Sequence, residues 1–78
     1  MTHLEAAKEA LKKGEVLKAS VEATEAIKEN PSDYEAYLIR GQISMAFGDK
    51  KGATEDMKKV MSLAPADVLQ QITGNFHN

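Results

Sequence analysis

Apolar and polar positions follow a helical period along almost the whole chain, and short-range stop signals divide that pattern into runs. Thr2 followed three residues later by Glu5 has the spacing of a capping box. In that motif a hydroxyl accepts from a free backbone N–H while the glutamate reaches back to the cap residue. Residues 4–13 are rich in strong helix formers and stop at Gly14. A second run over residues 15–29 ends at Asn30-Pro31, because proline disfavours helical geometry in the residue before it. Ser32 with Glu35 repeats the capping-box spacing and opens a third run to Phe47, halted by Gly48-Asp49. A fourth run covers residues 50–63 and stops before Pro65. Asp67 is then placed to cap a short run over 68–73, with Gly74 as its stop. The loops between the four long runs are so short that neighbouring helices are expected to run antiparallel.

The faces of these helices differ in kind. In the first, His3, Ala6, Ala7 and Ala10 share a small-residue face suited to close packing. Leu4, Lys8 and Leu11 form an adjoining stripe with Lys12 at its edge. The third helix carries the matching stripe Leu38, Gln42 and Met45, with Tyr34 at its start. Ile39, Ile43 and Phe47 lie on another side, so this helix is apolar nearly all round, as expected of an internal element.

The chain also repeats itself. Shifted by 34 residues, Gly14 falls on Gly48, Ala19 on Ala53, Pro31 on Pro65, Leu4 on Leu38 and Asp33 on Asp67. Glu15, Ser20 and Glu22 meet Asp49, Thr54 and Asp56, so residue character persists where identity does not. A 34-residue helical hairpin of this kind resembles the tetratricopeptide repeat. In the second unit its pattern reads Tyr37, Arg40-Gly41, Ser44, Ala53, Met57 and Pro65, with Gly48-Asp49 in the turn. In the first it reads His3, Ala6-Ala7, Ala10, Ala19, Ala23, Ala26 and Pro31, with Gly14-Glu15 in the turn. Arg40 stands where the family favours leucine, Ser44 replaces an aromatic, and the first unit keeps the small-residue skeleton without the aromatics. Ala7 or Gly41, with Ala19 or Ala53, would lie where two helices of a hairpin cross and a large side chain would push them apart.

The resemblance implies an all-α fold of antiparallel hairpins stacked as a short right-handed α-solenoid: two units, four helices and a short fifth. One domain is expected over residues 1–78, with repeat 1 at about 1–31, repeat 2 at about 32–65, a capping helix at about 66–74 and a frayed tail at 75–78. Val68, Leu69, Ile72 and Phe76 would cover the exposed apolar face of the second unit, since a terminal repeat cannot bury both faces. In such arrays the first helices line a concave groove for peptides. Carried over, that surface is Leu4, Lys8, Leu11, Lys12, Tyr34, Leu38, Gln42 and Met45. An apolar segment would pack on Leu4, Leu11, Leu38 and Met45, with Lys8, Lys12 and Gln42 bonding its carbonyls or a carboxylate. One variety of the family clamps C-terminal carboxylates with lysine and asparagine. The matching positions here hold Leu4, Lys8, Glu35 and Ile39, and Glu35 would repel a carboxylate. The reading is therefore a non-catalytic protein–protein interaction module. Its rival is a self-association module in which the same face is buried in a homodimer.

Composition narrows the remaining choices. Of 78 residues 42% are hydrophobic, but eleven of these are alanine, so the core is thin and a homo-oligomer would supply missing burial. Two units are also fewer than the three or so that repeat arrays usually need. The absence of cysteine excludes disulfides and thiolate metal sites and fits a cytoplasmic protein. The net charge of −2 is spread without a basic block, which argues against a nucleic-acid partner. Pairs such as Glu9/Lys13 and Glu55/Lys59 read as solvated helix faces. No apolar run is long enough to span a membrane, and the first residues do not form a signal peptide. No cofactor or metal is expected: His3 and His77 read as exposed terminal residues, and Gly48-Asp-Lys-Lys-Gly52 lacks phosphate-loop spacing. The acidic pairs Asp33/Glu35 and Glu55/Asp56 read as surface carboxylates, so enzymatic chemistry is not expected.

Overall fold

Five helices make up the computed structural model, which describes residues 1–74: α1 (His3–Lys12), α2 (Val16–Glu29), α3 (Tyr34–Ala46), α4 (Lys50–Leu63) and α5 (Ala66–Gly74). The described residues contain no strand, so the chain is all-helical there. The expected tail, with Phe76 and His77, lies outside the described residues.

The ends of the helices show how local chemistry sets the elements. The Thr2–Glu5 capping box is complete: Glu5 N–H donates to Thr2 Oγ1 at 3.1 Å and Thr2 N–H donates to Glu5 Oε1 at 2.9 Å. Both intra-unit turns use one geometry. Gly14 has φ +77° and Gly48 φ +79°, the left-handed region that a side chain disfavours. In the first turn Gly14 N–H donates to Leu11 O and Glu15 N–H to Ala10 O. In the second Gly48 N–H donates to Met45 O and Asp49 N–H to Ser44 O. This is the Schellman pattern twice over, which satisfies carbonyls left without helical partners.

Three expected helix starts are corrected. Ser32 is not the cap of α3: Asp33 is, its Oδ1 accepting from Glu35 N–H at 3.1 Å. Asn30 captures Ser32 instead, its side chain accepting from Ser32 N–H and its carbonyl from Asp33 N–H, which holds the chain in a turn one residue longer. Asp67 does not cap α5. That helix already begins at Ala66, with Pro65 O accepting from Leu69 N–H, and Asp67 lies in its first turn. Glu15, placed inside the second run, is the N-cap residue of α2 and makes no side-chain capping bond.

α1 packs on α2, α2 on α3 and α3 on α4, and α1 also touches α3. The alanines explain how such thin elements approach. Ala7, Ala10, Ala19 and Ala23 are buried with Ile39 and Ile43, and Leu4, Leu11 and Val16 close the edge of this cluster. A second cluster gathers Tyr37, Val60 and Ala64, and the side chains of Val68, Leu69 and Ile72 bring α5 onto it. A Cβ added at Gly41 would stand 3.4 Å from Asp56 Cβ and 3.6 Å from the Ala53 carbonyl oxygen, so α3 and α4 approach closely there. Tyr37 fastens α3 to the inter-unit loop, its hydroxyl donating to Pro31 O at 2.9 Å. Phe47 departs from the expected apolar line: it is the C-cap of α3, where the helix has ended, and is 57% exposed.

Candidate functional site

The residues predicted to form one stripe fall into three environments. Leu4 and Leu11 are half-buried at the edge of the alanine cluster, and Lys12, Gln42 and Met45 stand in solvent. Tyr34 and Leu38 meet α5, and together with Glu35, Val68, Gln71 and Ile72 they line an open depression of about 360 Å³. Lys8 joins the two first helices: its Nζ donates to Glu35 Oε2 at 2.8 Å, and both side chains are about half exposed. That bond is the main reason the Lys8 ammonium titrates above its ordinary value. A pair this exposed contributes little to stability, roughly 0–1 kcal/mol. It nevertheless neutralises the middle of the face, so an incoming carboxylate would meet the charge of Glu35 beside the ammonium.

Sequence reasoning missed two ion pairs that close the hairpins. His3 is not a free terminal residue. Its Nδ1 lies 2.6 Å from Glu22 Oε1 and its Nε2 3.8 Å from Glu29 Oε2, so both ring nitrogens face carboxylates of α2. The hydrogen bond to Glu22 dominates in raising the imidazole pKa, with the charges of Glu29, Glu22 and Glu25 adding to it and desolvation opposing it. In the second unit Arg40 bonds Asp56 through Nε and Nη2, both at 2.9 Å, and its guanidinium carbon lies 6.0 Å from the centroid of the Tyr37 ring. The bond to Asp56 also holds the guanidinium pKa above its ordinary value. Asp56, expected on the surface, is 5% exposed. Glu22 and Asp56 are equivalent under the 34-residue shift, whereas His3 and Arg40 are not, since Arg40 matches Ala6. Each second helix therefore offers an acid at the same place, and each first helix answers with a cation from a different turn. The shared acidity at 22 and 56 was the available signal.

Another concavity opens between α2 and α4, floored by α3. It measures about 350 Å³ and is lined by residues that include Ser20, Arg40, Phe47, Asp49, Glu55 and Asp56. Among the described residues no group of three or more histidine or acidic side chains is arranged to hold a metal ion. None of the described helices is long and apolar enough to cross a membrane.

Comparison of the chain with family models, curated proteins and solved structures gives no match.

Proposed function

We propose that the chain is a tetratricopeptide-like two-unit array with a capping helix, and that it acts as a non-catalytic module binding a peptide segment along the face of α1, α3 and α5. The observation that carries this reading is the open depression where Tyr34 and Leu38 of α3 meet Val68, Gln71 and Ile72 of α5. It is apolar at its walls, open along one side, and continuous through Glu35 and Lys8 with α1. Peptide grooves combine such side-chain depressions with a few polar groups that fix register. Since Glu35 sets a negative charge beside Lys8, the segment favoured is one with apolar anchors and no terminal carboxylate at its centre.

Nuclear magnetic resonance titration with apolar-anchored peptides tests the reading. Amide shifts should cluster on residues 8–12, 34–45 and 68–72, and Leu38→Glu should abolish them. Perturbations that avoid this face would sink the proposal. The rival reading is a homodimer closed over the half-buried Leu38 and the exposed Met45. Sedimentation across concentration separates the two, since only the homodimer changes mass.

A further inference from the structure

Three large apolar side chains, two on α2 and one at the end of α3, stand in solvent: Leu17 is 75% exposed, Val21 63% and Phe47 57%. Phe47 lines the cleft itself. Leu17 and Val21 lie one turn before and one residue after Ser20, the α2 residue that lines it. The internal repeat carries residues of opposite character at these places. Under the 34-residue shift Leu17 corresponds to Lys51, Val21 to Glu55 and Phe47 to Lys13, and all three counterparts are charged and exposed. A hydrophobe more than half exposed, where the sister unit carries a charge, is not held apolar by burial in the core. Grouped exposed apolar residues beside a concavity are the mark of an interaction surface.

The charges of the cleft indicate what the surface fits. Asp49, Glu55 and Asp56 face Arg40, whose guanidinium is committed to Asp56. The carboxylates left over are Asp49, which caps α4 through Gly52 N–H, and Glu55, which has no ion-pair partner among the described residues. The serine hydroxyls of Ser20 and Ser44 complete the polar wall. The surface is thus apolar at its rim and acidic within. Two copies of it placed face to face would set Asp49 and Glu55 against themselves, which disfavours a symmetric dimer here.

We propose that this cleft and its rim form a second docking surface, distinct from the face of α1, α3 and α5, and that its partner is a basic amphipathic helix. Apolar side chains at i and i+4 of that helix settle on Leu17, Val21 and Phe47. An arginine or lysine on its flank enters the cleft toward Asp49 and Glu55. The helix is read by apolar anchors for affinity and by charge for orientation.

The test uses two synthetic helical peptides, identical in leucines at i and i+4, one with arginines and the other with glutamates on the flank. The arginine peptide is expected to shift amides over residues 17–21, 44–49 and 52–56, and to bind more weakly as salt is raised. The triple variant Leu17→Lys, Val21→Glu, Phe47→Lys installs the sister unit's own residues. It should keep the helical melt of the parent and lose at least about tenfold in affinity, a change of about 1.4 kcal/mol. Glu55→Lys should weaken the arginine peptide and not the glutamate peptide. The proposal is overturned by no binding of either peptide, by equal binding of both, or by a triple variant that folds and binds as the parent does. Shifts confined to the α1, α3 and α5 face, or a dimer that buries Leu17, overturn it as well. Failure of the first proposed groove leaves these shifts where they are, so the two surfaces are separable.

Discussion

The Arg40–Asp56 pair makes a quantitative prediction because its two ends sit in different surroundings. The Asp56 side chain is 7% exposed, whereas that of Arg40 is 33% exposed. Replacing Arg40 by methionine keeps the packing of its stem but leaves a carboxylate where water hardly reaches. Breaking a buried pair in this way costs about 3–5 kcal/mol. The expected loss in Arg40→Met is therefore about 3–5 kcal/mol. Asp56→Asn removes the other charge but leaves a guanidinium that can turn toward water, with an amide oxygen still able to accept. Its expected cost is about 1–2 kcal/mol. Urea unfolding followed by far-ultraviolet circular dichroism reads both numbers. The double variant Arg40→Met, Asp56→Leu should recover most of the loss, since an apolar pair of similar volume removes both charges from the interior. An Asp56→Asn variant less stable than Arg40→Met refutes the reasoning.

The other clamp and the turns give further tests. His3 should titrate above its ordinary 6.5 in the folded protein, and Glu22→Gln should bring it back toward that value, as read by proton resonance of the imidazole. A raised pKa stabilises the fold fully below the unfolded value and loses that contribution as pH climbs through the folded one. The wild type should therefore weaken over this window more than His3→Gln does. Gly41→Ala should change stability by no more than about 1 kcal/mol, helix propensity offsetting a tight but ordinary contact. Gly41→Val should cost about 2–3 kcal/mol by forcing α3 from α4, seen as a drop in melting temperature. Gly14→Ala and Gly48→Ala should cost similar amounts, about 1–2 kcal/mol each, because both remove the same left-handed turn residue; unequal losses would show that the two turns are not equivalent.

What could be seen in the sequence was governed by separation along the chain. Gly14, Gly48 and the Thr2–Glu5 box act within a few residues, and each does in the structure what its spacing implies. Ala7, Ala19 and Gly41 were identifiable because crossing helices tolerate only small residues, and all three are buried. Ser32 and Asp33 could each have capped α3, and the choice fell to the side chain of Asn30, which engages Ser32 first. Arg40 looked like a loss from an apolar pattern. Its reason lies 16 residues away in Asp56, on a helix whose rotation no local spacing reveals. His3 looked terminal for the same reason: its partner Glu22 is 19 residues on. The predicted stripe was drawn from helical periodicity, which places residues on a face but does not say which of them α5 covers or which a neighbour neutralises. Tyr34, Leu38 and Lys8 are the residues affected.

The two clamps give the molecule a direction. Arg40 keeps its charge at any pH the chain survives, while His3 gives up a proton. Loss of that proton weakens one link between α1 and α2, while the buried alanines still hold the two helices together and the α3–α4 pair keeps its charges. The pH response of the fold therefore enters at α1, the helix that carries Leu4, Lys8 and Leu11.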